Sequence, residues 1–318
     1  MPKPSALTKL NQEDFTLLQT LCELYGPSGD EGLVRDFIVE YVKSHQHTWI
    51  CKPKLLYGNG FQNNVMLVFG KPRTAVFAHM DSIGYTHRYN RELVKIGSPQ
   101  AETGTKLWGL QNGKRVSGLL YTNPRSNTLQ LETSDSLLPG TAFVYDATFK
   151  LLKHEINSCY LDNRLGVFIA LQLAQTLRDG ILVFSTWEEH GGGSVSYLQR
   201  YIAETYRISQ ALIADVSWIS EGVRPGKGAV ISMRDRWIPR QDYVRKLIKI
   251  ADQSGIPYQL EVEDAGGSDA SELQMAENPW DWCFVGAPES GVHTPNERVH
   301  LNDVQSMRDL YRLFLEKL

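Results

Sequence analysis

From residue 148 to the C-terminus, short apolar runs alternate with longer segments of helical periodicity. The runs "ILVFST", "ALIADVS" and "WDWCFVGAP" have the length and composition of buried strands. Between them lie segments such as "RQDYVRKLIKIADQSG", in which Val244, Leu247 and Ala251 recur at helical spacing. Strands that alternate with helices favour a mostly parallel sheet with helices on both faces. We therefore predict an α/β fold built on a doubly wound, mostly parallel sheet.

This alternation is interrupted once, between about residues 85 and 147. The interrupting segment contains the strand-like runs "GKRVSGLLYT", "TLQLETS" and "GTAFVYDATF", with turn signals at "NPRSN" and "LLPG", and no long amphipathic helix. We therefore predict a main domain of residues 1–84 and 148–318, and a small all-β insertion domain of residues 85–147. Dimerisation and substrate gating are the two candidate roles for the insertion.

Composition and charge exclude several functional classes. The 318 residues carry a formal net charge of -3, which argues against nucleic acid as a main partner. The sequence lacks an apolar run of membrane-span length and the apolar core of a signal peptide. The four cysteines are scattered, and Cys22 and Cys283 lie in apolar contexts typical of reduced core thiols. We expect a cytoplasmic protein without membrane or nucleic-acid partners, disordered only in its first eight residues.

The second N-terminal helix shows a start signal. In "SGDEGLVRDFIVEYVKSH", Ser28 is followed three positions later by Glu31, the pattern of a capping box. The periodicity of this segment predicts a buried stripe formed by Leu33, Phe37, Ile38, Tyr41 and Val42.

Polar side chains that could bind a metal follow several of the predicted strands. In open α/β sheets the carboxyl ends of parallel strands form one rim, and ligands bind there. His79 directly follows "TAVFA", and Asp81 comes two residues later. The other candidates on this rim follow later strands or open the helix after the insertion: Asp162, Glu188, Glu189, Asp215 and His293.

Two imidazoles and several carboxylates on one rim favour a metal centre. Carboxylates crowded together without a cation suppress one another's ionisation. One catalytic ion uses fewer protein ligands than are present here, whereas two ions about 3.5–4 Å apart would use them all. Each residue taken alone has an ordinary structural explanation, such as a helix cap or a turn, but all of them would have to coincide on one rim. We predict two divalent ions per chain, zinc first, with cobalt and manganese as alternatives because all three accept nitrogen and oxygen ligands.

The residues divide between the two ions as follows. Asp162 is predicted to bridge, because a carboxylate can offer one oxygen to each ion. His79 and Asp215 complete one ion site, and Glu189 and His293 complete the other.

Two further acids are assigned to catalysis. Asp81 can accept the second imidazole N–H of His79 and so fix its orientation. Glu188 is predicted to be the general base for the water between the ions. The aim of His190 is left open, and Asp269 is interpreted as opening a short helix.

The ordered motifs "HMDSIGY", "YLDNRLG", "EEHGG", "ADVS", "GGSDA" and "HTPNERVH" resemble those of the glutamyl or tetrahedral aminopeptidase family of co-catalytic metallopeptidases. The resemblance covers most of the chain. It implies a catalytic domain interrupted by a β-rich insertion, two divalent ions, the residue roles given above, and assembly into homo-oligomers from dimers to dodecamers. It also implies a cis peptide between Asp162 and Asn163, although the family usually has Asp where Asn163 stands and Val where His190 stands.

The sequence thus predicts a metal-dependent aminopeptidase that acts on peptides with a free N-terminus. A carboxypeptidase or N-acyl-amino-acid deacylase is the alternative, and it would need a cation for the substrate carboxylate, such as Arg164, Arg234 or Arg236. Glycoside hydrolysis by Glu188 and Glu189 would leave the histidines without a task, and a metal-dependent scaffold would leave Glu188 without one. The preferred N-terminal side chain and the native metal are left open.

Overall fold

The computed structural model describes Leu7 and residues 9–318, so the disorder predicted for the first eight residues falls almost entirely outside the described residues. The described helices are α1 (Gln12–Glu23), α2 (Gly32–His45), α3 (Leu161–Ala174), α4 (Val195–Tyr206), α5 (Gln241–Ser254), α6 (Ala270–Gln274) and α7 (Leu301–Lys317). None of them is both long and apolar enough to cross a bilayer.

The strands form one large sheet and one small barrel. In chain order, the large sheet takes β1 (Lys54–Gly58), β2 (Gln62–Phe69), β3 (Ala75–His79), β10 (Lys150–Leu151), β11 (Glu155–Ser158), β12 (Gly180–Ser185), β13 (Gln210–Trp218), β14 (Ala229–Arg234), β15 (Tyr258–Val262), β16 (Asp281–Ser290) and β17 (Glu297–His300). The barrel takes β4 (Gly84–His87), β5 (Glu92–Ile96), β6 (Lys106–Gln111), β7 (Lys114–Thr122), β8 (Leu129–Glu132) and β9 (Ala142–Tyr145).

The large sheet is mixed, so the prediction of a mostly parallel sheet is correct only for its centre. Its order is β1-β2-β12-β3-β13-β16-β17-β11-β10, with β14 paired to β16 and β15 to β14. Strands β12, β3, β13 and β16 are parallel neighbours, as are β14 and β15, whereas all other ladders are antiparallel. The parallel centre is the part that brings the strand-end residues to one rim.

Helices cover both faces of this sheet, as predicted. Side chains alternate along the strands: Val76 and Ala78 of β3 belong to the apolar cluster that includes residues of α1, α2, α3, α5 and α7, whereas Ala75 and Phe77 belong to the cluster that includes residues of α4 and α6. The strands of the parallel centre are buried on both faces, which explains why they appear in the sequence as continuous apolar runs.

The β-rich segment forms a closed barrel with the strand order β4-β5-β8-β7-β6-β9. It has its own core, which includes Leu107, Leu120 and Phe143. Between Gly84 and Tyr145 the described residues form only strands, turns and loops. The domain limits at residues 85 and 147, and the role of the barrel, stay predictions.

The capping box predicted for α2 is wrong. The Ser28 hydroxyl donates to Asp81 Oδ2 at 2.5 Å instead, and Glu31 Oε1 accepts the Gly29 N–H at 2.6 Å. The helix begins at Gly32, three residues after the start that a Ser28 cap would give it. Its buried face is also rotated, because Val34 is fully buried whereas Leu33 is 46% exposed.

A crevice opens at the carboxyl ends of the central strands. Hydrogen bonding between β3 and β13 ends at the pair Phe77 and Ile213, although both strands continue beyond it. His79 and Asp215 lie just past this point, where the two strands separate. Crevices of this kind are where open α/β sheets bind ligands.

Candidate metal centre

The last residue of β3 is His79, which is buried at the inner end of the crevice. Its Nε2 lies 3.3 Å from Asp162 Oδ1 and 3.5 Å from Asp215 Oδ2. Its Nδ1 faces Asp81 Oδ1 at 3.4 Å, without the alignment of a hydrogen bond. The imidazole therefore presents one nitrogen to the centre and the other to Asp81, but without the hydrogen bond that the sequence predicted between them.

Asp162 lies in the first turn of α3, where the backbone is not yet helical. The peptide bond between Asp162 and Asn163 is cis, which confirms the expectation from the resemblance. Asn163 fixes this turn against β13, because its Nδ2 donates to Ala214 O at 2.7 Å and its Oδ1 accepts the Gly166 N–H at 2.8 Å. An amide thus links the helix to the strand that carries Asp215.

The carboxylate of Asp162 divides its two oxygens between two histidines. Oδ1 is the oxygen near His79, and Oδ2 lies 3.2 Å from His293 Nε2. His293 Nε2 is also 3.0 Å from Glu189 Oε2. Two groups of side chains result, and within each group the candidate ligand atoms all lie within 4.8 Å of one another. One group is His79, Asp162 and Asp215, and the other is Asp162, Glu189 and His293.

Glu188 and Glu189 occupy a single 3₁₀ turn that follows β12. The turn directs their side chains differently. Glu189 points to His293, whereas Glu188 Oε2 lies 3.9 Å from His79 Nε2 and lines the open cavity. Adjacent residues on a regular strand would face opposite sides of the sheet, so this separation depends on the irregular backbone.

Asp81 makes contacts that the sequence analysis missed. Besides facing His79, its Oδ1 accepts the Glu188 N–H and its Oδ2 accepts the Glu189 N–H, both at 3.2 Å. Ser28 donates to the same carboxylate. Asp81 therefore positions the turn that carries both glutamates as well as the imidazole.

Burial and charge perturb the acids of the centre in opposite directions. Burial alone would raise the pKa of Asp162, yet the imidazoles of His293 and His79 hold it below its usual range. Burial raises the pKa of Glu189 to about 7, and the charge of Asp162 adds to this rise. Burial also raises the pKa of Glu188 well above its usual range, with Asp215 and Glu189 adding to the rise against the opposing charge of His79.

For the two histidines, burial lowers the pKa and the neighbouring carboxylates raise it. Burial disfavours the charged imidazolium, but hydrogen bonds with Asp162 and Glu189 outweigh it and raise the pKa of His293 to about 11. The carboxylates of Asp215, Asp162 and Asp81 likewise raise the pKa of His79. Without a cation, bound protons on the histidines and glutamates offset the repulsion between the carboxylates.

The donor set fits two divalent cations. Imidazole nitrogens and carboxylate oxygens suit zinc, cobalt and manganese. Oε1 of Glu189 is buried without any hydrogen-bond partner, although buried polar atoms are normally satisfied. A cation beside His293 and Glu189 would give this incompletely satisfied carboxylate a partner.

Two residues left uncertain by the sequence have clear positions. His190 is exposed, and its Nδ1 accepts the Gly97 N–H at 3.0 Å, so it faces the chain that leaves β5 rather than the centre. Asp269 precedes α6 without capping it, because its carboxylate accepts the Ser185 hydroxyl. Burial raises the pKa of Asp269 to about 7. The interpretation of Asp269 as a helix opener is therefore correct for its position but not for its side chain.

Residues from the barrel side also hold the centre, and the sequence analysis missed them. Ser98 Oγ lies 2.7 Å from His293 Nδ1, the nitrogen that faces away from the carboxylates. The His293 carbonyl accepts the Gln100 N–H at 2.9 Å and the Tyr145 hydroxyl at 3.1 Å. Nothing in the local sequence of Ser98 distinguishes it from an ordinary loop serine.

A cavity of about 320 Å³ opens from the centre. Away from the ligands, its wall carries three further acids, Asp235, Glu261 and Glu263, together with the aromatic rings of Trp218 and Phe284. Asp235 and Glu261 are almost fully buried. No lysine or arginine of the described residues lines it.

The arginines proposed for the alternative function lie elsewhere. Arg164 is fully buried and donates to the Leu24 and Gly26 carbonyls. Arg234 donates from Nε to the main-chain carbonyls of Asp235 and Glu263. Arg236 stacks on the ring of Trp237. None of the three lines the cavity into which the ligands point.

Comparisons with known proteins identify the family of the chain and proteins that share its fold. A sequence model of the M42 glutamyl aminopeptidase family matches residues 131–310. A protein from Acetivibrio thermocellus that carries an unconfirmed assignment as an aminopeptidase is 24% identical over 332 residues, covering 93% of this chain and 97% of its own.

Solved structures show the same fold. Aminopeptidase APDkam598 from Desulfurococcus kamchatkensis has a TM-score of 0.85 at 24% identity, covering 96% of this chain and 95% of its own. The TET1 peptidase of Pyrococcus horikoshii, described as assembling into a tetrahedron or a large octahedral shell, has a TM-score of 0.81 at 22% identity, covering 96% and 100%.

Proposed function

This chain belongs to the M42 glutamyl aminopeptidase family, and we propose on that premise that it removes the N-terminal residue of peptides at a centre of two divalent ions. It is a metal-dependent aminopeptidase, a hydrolase of the exopeptidase class. The observation that carries the two-ion proposal is the division of the Asp162 oxygens, one towards His79 and one towards His293. A carboxylate in that position offers one ligand atom to each of two neighbouring ions.

The proposed ligand sets follow the two groups of side chains. His79, Asp162 and Asp215 would hold one ion, and Asp162, Glu189 and His293 the other. When bound, such a pair of ions lowers the pKa of a water between them and polarises the carbonyl of the scissile bond. Zinc is proposed first, with cobalt and manganese as alternatives.

Glu188 is proposed as the general base and acid. It is beside the centre, lines the cavity and is not needed by either ligand set. Its carboxylate would take the proton of the attacking water and then donate it to the amine that leaves. Asp81 would keep both His79 and the turn of Glu188 in place.

The position of the arginines favours an aminopeptidase over a carboxypeptidase or a deacylase. A carboxypeptidase must bind the C-terminal carboxylate of its substrate, for which a cation in the cavity is the usual partner. Among the described residues, the cavity wall offers acids and no lysine or arginine. A free α-amine, which is positively charged, suits such a wall.

The wider setting of the enzyme belongs to the same proposal. We infer a cytoplasmic enzyme, supported by four cysteines that are all free of disulfides. Assembly into a homo-oligomer is supported by the TET1 relative, and dimerisation or substrate gating is proposed for the barrel of residues 85–147.

Substitution Glu188→Gln tests the mechanism. We expect kcat to fall about 10²–10⁴-fold, because the amide cannot accept a proton, while two ions per chain persist in elemental analysis. Glu204→Gln on the exposed side of α4 is the matched control. Near-normal turnover in Glu188→Gln would remove the role given to Glu188.

Activity on free but not N-acetylated aminoacyl substrates, abolished by chelators, distinguishes the aminopeptidase from the alternatives.

A further inference from the structure

Glu297 stands behind the centre and contacts the main chain of two proposed ligands. It is the first residue of β17 and is fully buried. Its Oε2 accepts the Asp162 N–H at 3.3 Å, and its Oε1 accepts the His293 N–H at 3.1 Å. One carboxylate therefore connects a residue from the start of α3 with a residue from the loop after β16.

Glu297 is itself firmly held. Its main chain pairs with Ser158 in the ladder between β11 and β17. The Asn157 side chain donates to the Glu297 carbonyl at 2.9 Å. A residue held by two contacts with β11 can serve as a rigid support for the two segments that its carboxylate reaches.

Both supported segments have backbones that need an external partner. His293 has φ of +64°, in the left-handed region that residues other than glycine rarely adopt. Asp162 lies in the first turn of a helix, where N–H groups have no partner within the helix. Without Glu297 the buried Asp162 N–H and the partly buried His293 N–H would lose this acceptor, which is unfavourable for each of them.

The position of these contacts matters for the metal. His293 Nε2 and Asp162 Oδ2 are 3.2 Å apart, and both belong to the same ligand set. Ligands of one ion must keep their separation within a few tenths of an ångström, and groups behind the ligands set that separation.

The neighbouring Glu289 provides an internal comparison. It lies on β16, is as buried as Glu297, and neither of its carboxylate oxygens has a hydrogen-bond partner. The two glutamates thus share charge and depth but differ in contact with the ligands.

We propose that Glu297 is a positioning residue of the dinuclear centre, whose carboxylate spans the main-chain N–H groups of Asp162 and His293 and so fixes the ligand set shared by these two residues. This inference rests on the proposed function. In that function Glu297 contacts neither an ion nor the substrate. Its carboxylate acts only through Asp162 and His293.

Substitution Glu297→Gln tests this inference, with Glu289→Gln as the matched control. Glutamine has one acceptor oxygen, so its NH₂ group would face one of the two N–H groups. We expect Glu297→Gln to bind the first zinc ion normally and the second about 10–100-fold more weakly, the range seen for residues behind metal ligands. Glu289→Gln should bind both ions as the parent does.

The measurement is zinc titration of chelator-stripped protein against a chromophoric chelator, with the Co²⁺ absorption spectrum as a readout independent of activity. Unchanged affinity in Glu297→Gln, or an equal loss in both variants, would overturn the proposal. If Glu297→Gln does not fold, Glu297→Asp replaces it: the shorter side chain should weaken the second ion, and parent-like affinity would refute the role. A parent protein that never binds a second ion would instead contradict the proposed function itself.

Discussion

At the residue scale, the charge of the cavity wall is the feature with the most direct consequence for substrate choice. Asp235 and Glu261 are 9% and 6% exposed, and Glu263 is half-buried beside them. Burial raises the pKa of both Glu261 and Asp235. Arg234 lies nearby, but its Nε donates to the main-chain carbonyls of Asp235 and Glu263. Because the wall holds three acids and no lysine or arginine of the described residues, it favours a cation wherever these acids are ionised.

We expect an N-terminal side chain that enters this part of the cavity to be preferred when it is basic. Two like charges about 5 Å apart repel by about 3 kcal/mol at an effective dielectric constant of 20, so an N-terminal glutamate is disfavoured. The predicted kcat/KM ratio of lysyl over glutamyl anilide is about 10-fold or more. Glu263→Gln should reduce that ratio severalfold, whereas Glu204→Gln should not. A parent enzyme that prefers the glutamyl substrate would contradict this prediction.

The sequence revealed the residues that follow strands but not those that support them. His79 could be found because it comes directly after an apolar run of the parallel centre, and Glu189 because it follows another such run by three residues. Ser98, Glu261 and Glu297 could not, because they lie in the barrel segment, on an edge strand and in a short antiparallel strand. Their roles arise only from the packing of segments far apart in the chain.

At the scale of elements, the contact between α3 and β13 sets the distance between Asp162 and Asp215. Gly166 of α3 makes the close approach, since a Cβ there would lie 2.2 Å from Ala214 O and 2.4 Å from Asn163 Oδ1. Both atoms belong to the link that fixes the start of the helix.

Gly166→Ala should therefore destabilise the fold and weaken the centre. Alanine favours a helix by about 1 kcal/mol over glycine, but overpacking costs about 1–3 kcal/mol, and the clash with a main-chain oxygen leaves little room to relax. We expect a lower free energy of unfolding in urea and a lower kcat/KM. Gly32→Ala in α2 is the control, because the nearest atom there is Arg35 Nη2 at 3.8 Å. Equal stability of the two variants would contradict the packing argument.

The start of α7 carries a buried acid that couples stability to pH. Asp303 accepts the N–H groups of Gly226 and Gly228, each at 2.7 Å. Burial nevertheless raises the pKa of Asp303 from 3.8 to about 6, against the lowering effect of these bonds.

Because the pKa is higher in the folded state, folding favours the protonated acid. The corresponding stability is present below about pH 4 and is lost as the pH rises through 6, by about 3 kcal/mol for about two pKa units. Asp303→Asn should therefore gain stability relative to the parent between pH 4 and pH 7 in urea titrations. The same substitution at exposed Asp36 controls for solution effects, and a pH-independent difference at Asp303 would refute the prediction.

The elements themselves were largely predictable from hydrophobic pattern, whereas their neighbours in the sheet were not. The alternation after residue 148 predicted α5, β12 and β13, because burial on both faces leaves a continuous apolar run. The antiparallel flanks of the sheet escaped prediction, since a short strand such as β10 or β17 has the same local pattern whichever partner it takes. The phase of α2 was misjudged because Leu33 and Val34 are both apolar, and only packing decides which of them turns inward.

At the scale of the whole molecule, the barrel and the large sheet meet at the proposed metal centre. Ser98, in the chain between β5 and β6, reaches His293 Nδ1, and Tyr145 of β9 reaches the His293 carbonyl. A change confined to the barrel side should therefore be felt by the ion that His293 is proposed to hold.

Ser98→Ala removes the partner of His293 Nδ1, so that only the contacts at Nε2 orient the imidazole. We expect zinc affinity to fall about 10–100-fold for one ion of the pair. Ser126→Ala, in an exposed loop of the same barrel, should leave the affinity unchanged. Equal affinities in the two variants would show that the barrel does not support the centre.

Removal of the ions should destabilise the whole molecule, and more so at alkaline pH. Ions present at 1,000 times their dissociation constant stabilise the folded state by about 4 kcal/mol, so a chelator should lower the Tm by several degrees. In the stripped protein, burial and Asp162 raise the pKa of Glu189 from 4.5 to about 7, and neighbouring carboxylates raise that of His293 from 6.5 to about 11.

Both groups hold protons more tightly when folded than when unfolded. The stability contributed by Glu189 is lost as the pH rises from about 4.5 through 7, and that contributed by His293 from about 6.5 through 11.

In the loaded protein, cations replace these protons, and higher pH favours their binding because the ligands must be deprotonated. The difference in Tm between loaded and stripped protein should therefore widen from pH 6 to pH 9 in scanning calorimetry, and stoichiometric zinc should restore the loaded value. If the difference in Tm stays constant or narrows over this range, protons on Glu189 and His293 do not stabilise the stripped protein.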